Sequence, residues 1–131
     1  VSDPKSFTDA PVEITKAVTF EAAHRLGGPD DPETYRRVHG HSFRLEATLR
    51  GKPHPERGWV EDLGALTAAL RALAERLDHG LLNEIEGLER PTLERLCGWA
   101  ARELGRDFPT LVRVKVSRPS LGESCTLKIK T

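Results

Sequence analysis

Apolar side chains alternate with polar ones along four stretches of the chain and recur at helical spacing along two others. From Val12 to His24 they fall on every second residue, at Val12, Ile14, Val18, Phe20 and Ala22, which is the period of a half-buried strand. Lys16 interrupts that face, so a bulge or a sheet edge is expected there. Residues 25–38 hold Gly27, Gly28, Pro29 and Pro32 and read as a loop. A second strand runs from His39 to about Arg50, with Phe43, Leu45, Ala47 and Leu49 on one side and Arg44, Glu46 and Thr48 on the other. Leu63, Leu66, Leu70, Leu73 and Leu77 then recur at spacings of 3, 4, 3 and 4, the apolar stripe of an amphipathic helix, with Gly80 placed to end it. Thr92 is a candidate N-cap for a second helix carrying Leu93, Leu96, Cys97, Ala100 and Leu104, with Gly105 suited to its end. Val112, Val114 and Val116 mark a third strand, Pro119 to Gly122 a turn, and Cys125, Leu127 and Ile129 a fourth strand. The order β-β-α-α-β-β predicts an α+β fold, an antiparallel four-stranded sheet with two helices on one face. It fits one domain over 1–131, with the polar residues 1–10 frayed.

The histidines change this picture. His24 has the parity of Phe20, and His39 and His41 have the parity of Phe43, so all three continue the apolar face of their strands. Three neutral imidazoles with a free fourth position are the ligand set of a catalytic zinc site, and Gly40 leaves the surface between two of them bare. Taken alone, His24 fits an ordinary strand-end histidine more readily than a ligand. Composition narrows the rest. The chain of 131 residues has 20 basic and 20 acidic side chains, which favours neither nucleic acid nor an anionic membrane as partner. Its apolar runs are too short to span a bilayer, and its polar start does not read as a signal peptide. Two cysteines, Cys97 and Cys125, make no disulfide framework, so a reducing cytoplasm is expected. The open edges of a four-stranded sheet invite pairing with another copy, hence a homo-oligomer.

With these residues in register, a family resemblance emerges. Phe20-Glu21-Ala22-Ala23-His24-Arg25-Leu26, followed by His39-Gly40-His41-Ser42-Phe43, resembles the paired zinc motif of the 6-pyruvoyltetrahydropterin synthase and 6-carboxytetrahydropterin synthase family. Gly58-Trp59-Val60-Glu61-Asp62, Glu75-Arg76-Leu77-Asp78-His79 with Leu82-Asn83, and Pro91-Thr92 extend the likeness, which is greatest to the bacterial 6-carboxytetrahydropterin synthases of queuosine biosynthesis. The resemblance implies the tunnelling fold, in which subunits join their sheets into a barrel, usually as a hexamer. It implies zinc on His24, His39 and His41. It also implies Asp78 and His79 in proton transfer near that zinc across a subunit boundary, and 7,8-dihydroneopterin triphosphate as the substrate class. Zinc as Lewis acid with a nearby base suits the removal of a proton beside a hydroxyl-bearing carbon.

Two positions depart from the family pattern. Where the family has a cysteine base, four residues before the first histidine of His39-Gly40-His41, this chain has Tyr35. A phenol with a pKa of ~10 is a poor base at neutral pH unless zinc or the neighbouring Arg36 and Arg37 depress it. Glu33 is the other candidate base in that loop. The family's pterin-anchoring Glu falls, ungapped, on Arg118, and Glu123 could supply the carboxylate after a short insertion or be a solvated turn charge. His79 could equally be a simple partner for a helix C-terminus. Three functions stay open at this point. One is a zinc-dependent pterin enzyme with an altered base. Another is a non-catalytic pterin- or zinc-binding paralogue. The third is a cysteine-independent dihydropterin side-chain lyase.

Overall fold

The computed structural model describes residues 9–130; most of the segment expected to fray lies outside them. Strand β1 (Val12–His24) pairs antiparallel with β2 (His39–Gly51) in unbroken register, from Val12 opposite Gly51 to His24 opposite His39. Strand β3 (Leu111–Arg118) pairs with β2 on one side and with β4 (Glu123–Lys128) on the other, giving the order β1-β2-β3-β4. Helices α1 (Leu63–Leu77) and α2 (Leu93–Gly105) lie between β2 and β3 in the chain. The element order is the expected β-β-α-α-β-β, with a single helical turn, Glu33–Arg36, added in the first loop.

The alternation along the strands builds the core. Phe43, Leu45, Ala47 and Leu49 of β2 are all but fully buried, as are Val114 and Val116 of β3. Leu66, Leu70 and Leu77 of α1 and Leu96, Ala100 and Leu104 of α2 cover them. Deleting one such leucine to alanine typically costs about 2–5 kcal/mol. Each helix starts on a side-chain cap: Asp62 accepts from the Gly64 N–H at 2.8 Å and Thr92 from the Arg95 N–H at 3.2 Å. Each cap contributes about 1 kcal/mol. The other sheet face is polar, with the Thr15 and Thr48 hydroxyls bonded at 2.7 Å.

One local expectation is met, through the sheet edge, and two need correction. Lys16 sits opposite Ala47 in regular pairing on an edge strand, and the one ladder irregularity falls between Thr48 and Leu49 on the β3 side. Leu63 is 46% exposed although it continues the leucine stripe; it lies in the first turn and lines a surface groove with Val12 and Trp59. Gly80 does not supply the left-handed turn after α1. His79 does, at φ +57°, because the chain leaves the helix to pair with β1. There the Asp78 N–H still closes on the Ala74 carbonyl, the His79 N–H donates to the Glu21 carbonyl, and the Ala23 N–H donates to the Gly80 carbonyl. Ala23 and Leu81 form a parallel bridge, so this segment covers the outer edge of β1 beside the histidines.

Candidate metal centre and the cleft beside it

One ring nitrogen from each of His24, His39 and His41 lies within 4.8 Å of the other two. The β1–β2 register produces this convergence: His24 faces His39, and His41 is two residues further along the same face. The three rings sit edge to face with centroids 4.6–5.0 Å apart. Phe43 packs against two of them and stacks on Phe20 at 5.0 Å, forming an apolar floor.

Main-chain carbonyls fix the tautomers. His24 Nδ1 donates to the Pro91 carbonyl at 3.1 Å and His39 Nδ1 to the Arg37 carbonyl at 2.9 Å. A carbonyl only accepts, so both protons reside on Nδ1 and both Nε2 atoms carry lone pairs. Those two Nε2 atoms face each other at 3.1 Å. His41 Nε2 is buried with no partner. Facing lone pairs and an orphaned buried nitrogen are what a cation would satisfy, and carbonyl-oriented imidazoles are the usual support of metal ligands. The residues present therefore fit a divalent metal.

The surroundings favour the neutral form of His24 and His41. His24 is fully buried, and its pKa falls from the ordinary 6.5 to about 4. Burial is the main cause, followed on the same side by the charges of His39, His41 and Arg118, and opposed by the Pro91 hydrogen bond. Burial, Arg118 and His39 also lower His41, against the pull of Glu123. Neutral imidazole is the form that binds metal.

Next to the triad is a cleft of about 840 Å³ lined by Glu21, Gly40, His41, Ser42, His79 and Ser120, among others. His41 and His79 thus border one cavity of a single chain. Asp78 holds His79 in place: its Oδ2 accepts from His79 Nδ1 at 2.8 Å, and its Oδ1 accepts from the Glu21 N–H at 2.8 Å. The Glu21 N–H, then His79, hold the Asp78 carboxyl below the usual carboxylate range. Left-handed backbone at a non-glycine residue costs energy and clusters at functional sites. Asn83 clamps the strand exit just past His24, donating to the Arg25 carbonyl and accepting its N–H, both at 2.9 Å.

The remaining candidates sit apart. Tyr35 is 53% exposed on the helical turn and Glu33 forms an exposed ion pair with Arg37 at 3.3 Å. Neither lines the cleft. Arg36 Nε donates to the Asp31 carbonyl, so both arginines near Tyr35 are engaged elsewhere. Glu123 opens β4 opposite Arg118, 3.4 Å from its Nε. Glu21 and Ser42, bonded to each other at 2.7 Å, line the cleft but are not marked out by sequence pattern. Their parity puts them on the polar face, and only the wrap of the cleft around Gly40 brings them in.

The family model for 6-pyruvoyl tetrahydropterin synthase matches residues 13–129. The chain belongs to this family. It is 43% identical to the 6-carboxy-5,6,7,8-tetrahydropterin synthase of Synechocystis sp. over 119 residues, 86% of this chain and 87% of that one. It is 30% identical to the dihydroneopterin monophosphate aldolase of Pyrococcus furiosus over 102 residues, 78% of this chain and 82% of that one. The structure of Caenorhabditis elegans 6-pyruvoyl tetrahydropterin synthase superposes with a TM-score of 0.80 at 24% identity, over 93% of this chain and 98% of that one. The four-stranded antiparallel sheet with its helices is therefore the tunnelling fold of this family.

The depressed His24 pKa makes metal-free protein acid-sensitive. Between about 6.5 and about 4 the unfolded chain binds a proton that folded His24 does not, so stability is full above that window and falls as pH drops through it. In EDTA, urea unfolding at pH 4.5 is expected to show roughly 2.5 kcal/mol less stability than at pH 7 from this group alone. His24→Gln is expected to flatten the slope, leaving the contribution of His41. Equal stability at the two pH values would contradict the neutral, buried state.

Proposed function

We propose that this chain is a zinc-dependent enzyme acting on 7,8-dihydroneopterin triphosphate or a related dihydropterin, of the 6-carboxytetrahydropterin synthase kind and serving queuosine or pterin biosynthesis in the cytoplasm. The observation that carries the reading is the convergence of three imidazoles beside a cleft that also holds His79. Tetrahedral zinc with bonds of ~2.0–2.1 Å sets its nitrogens about 3.3 Å apart, close to the 3.1 Å between His24 and His39 Nε2. Bound zinc would supply Lewis-acid polarisation of the substrate's side-chain oxygens.

The chain's own residues do the rest. Asp78 keeps the His79 proton on Nδ1, which leaves Nε2 free to take a proton from the substrate side chain and return it elsewhere. Phe43 and Phe20 keep water from the inner side of the triad. Glu123 lies outside the cleft lining, paired with Arg118. Tyr35 stands where the family cysteine would be but outside the cleft, so His79 rather than the phenol or Glu33 carries the proton transfer.

A second reading rests on the aldolase relative from Pyrococcus furiosus: the chain cleaves the dihydropterin side chain without a cysteine base. Incubation with dihydroneopterin triphosphate and mass spectrometry of the products separates the two. The synthase reading expects water to be consumed, triphosphate to be lost, the first side-chain carbon to stay on the ring as a carboxylate, and the other two carbons to leave as an aldehyde without phosphate. The lyase reading expects a released aldehyde that retains its phosphates. A pure binding paralogue would give no product with pterin bound.

Three outcomes are expected. The purified protein holds about one zinc per chain by metal analysis, and His41→Ala loses most of it, since two imidazoles hold zinc weakly. No zinc, and none taken up, would reject the metal site. His79→Gln lowers turnover by ~100-fold or more, the scale of general acid–base groups, whereas Tyr35→Phe stays within a few fold; the reverse order would return the role to the phenol. Light scattering reports a trimer or hexamer, because the β4 edge is open; a monomer at micromolar concentration would refute the assembly.

A further inference from the structure

Glu21 is tied to the Asp78–His79 pair through both of its main-chain groups. Its N–H donates to Asp78 Oδ1 at 2.8 Å, and its carbonyl accepts from the His79 N–H. Strand β1 therefore fixes Glu21 against His79 directly. The side chain is held too: Glu21 pairs with Ser42 across β1 and β2, and Ser42 Oγ donates to Glu21 Oε1 at 2.7 Å. The second carboxylate oxygen, Oε2, has no hydrogen-bond partner among the described residues. Glu21 is exposed, and it lines the cleft together with His41 and His79. Among the described residues it is the one carboxylate in that lining, and no lysine or arginine lines the cleft to pair with it.

The chemistry asks for a second proton acceptor. In both readings above a hydroxyl-bearing carbon of the side chain is oxidised, and its O–H proton must leave. In the synthase reading the same carbon also gives up its C–H proton. In the lyase reading it gives up its bond to the neighbouring carbon, and that neighbour gains a proton. One group must therefore serve oxygen and another carbon. His79 has a single free nitrogen, Nε2, because Nδ1 is committed to Asp78, and one nitrogen handles one proton at a time. Asp78 is occupied by His79 and by the Glu21 N–H. Tyr35 and Glu33 lie outside the cleft. The hydroxyls of Ser42 and Ser120 are poor bases, which leaves Glu21.

We propose that Glu21 is a second catalytic base: its carboxylate takes the proton of a substrate side-chain hydroxyl while His79 Nε2 serves carbon. This rests on the pterin-enzyme reading above. The O–H electron pair becomes the second carbon–oxygen bond. In the synthase reading the C–H pair passes into the ring C=N beside the side chain, so the ring is reduced as the carbon is oxidised. The two protons rest on Glu21 and His79 until the ring nitrogen and its neighbouring carbon take them up. In the lyase reading the pair of the broken carbon–carbon bond enters the same C=N and returns to the first side-chain carbon with one proton. Neither course consumes an oxidant or a reductant. Ser42 is the positioning residue: its bond to Oε1 turns Oε2 toward the cleft.

The test is turnover of 7,8-dihydroneopterin triphosphate by the whole protein and its variants, with zinc content and thermal unfolding measured on each. Glu21→Gln keeps an oxygen for Ser42 and is expected to lower kcat by ~100-fold or more with KM nearly unchanged. Glu21→Asp, which keeps the carboxylate, is expected to fall between Gln and wild type. Glu21→Ala opens space in the cleft, and added formate is expected to restore its kcat by ~10-fold or more, as a free carboxylate replaces the missing base. A merely structural carboxylate would give no such rescue. Wild-type kcat in folded Glu21→Gln would overturn the role of Glu21 and leave the pterin-enzyme reading standing. Loss of activity that formate does not restore, together with lost zinc or a lowered unfolding temperature, would make Glu21 structural and overturn it as well. Wild type that forms no product would instead overturn the pterin-enzyme reading, and this assignment with it.

Discussion

Two imidazole nitrogens face each other 3.1 Å apart at the shared end of β1 and β2, each with its ring proton committed on the far side, to the Pro91 and Arg37 carbonyls. Neither can donate to the other. Burial keeps His24 from charging, and a cation bound between the two lone pairs would relieve their repulsion. The carbonyls doing this belong to two loops, one before β2 and one before α2. The positions of those loops are therefore part of the site. That constraint explains why the Pro91-Thr92 junction must both cap α2 and present a carbonyl to His24: one short stretch fixes a helix start and an imidazole tautomer together.

A second dependency runs through the exit of α1. The chain could have closed that helix with a glycine in left-handed backbone. It uses His79 there instead, and moves directly into pairing with the edge of β1. The pairing offsets the backbone cost by satisfying main-chain groups of Glu21 and Ala23, which an open edge would leave to water. It also sets the His79 side chain against Asp78 and over the cleft that His41 borders. Local strain and edge protection come from the same four residues, which is why a proton-transfer role and a structural one are hard to separate at this position without a kinetic readout.

The sheet end is a graded surface. From β1 to β4 it carries neutral imidazoles, then a guanidinium, then a carboxylate. The 6-pyruvoyl tetrahydropterin synthase family model spans the histidines and Asp78 with His79. Tyr35 and Arg118 are the two positions that depart from the family pattern.

Much of this was legible in the sequence, because a repeat of two or of three and four fixes which side of an element each residue occupies. The parity of His24 with Phe20, and of His39 and His41 with Phe43, already put the three rings on one core-facing surface. The leucine stripes and the Thr92 cap already gave the two helices. Periodicity carries no information about partners far along the chain. The Asp78 carboxylate reaches the Glu21 N–H across 57 residues and His24 reaches Pro91 across 67, and no spacing rule marks either contact. Gly80 looked like the helix terminator because glycine tolerates left-handed backbone, yet pairing with β1 assigned that conformation to His79. Leu63 keeps the stripe's phase but lies in the first turn, on a surface groove with Val12 and Trp59. Arg118 read as a misfit until pairing with Glu123 and burial beside His41 gave it a place. The sequence alone determined which face each side chain takes; packing between distant segments decided what it meets there.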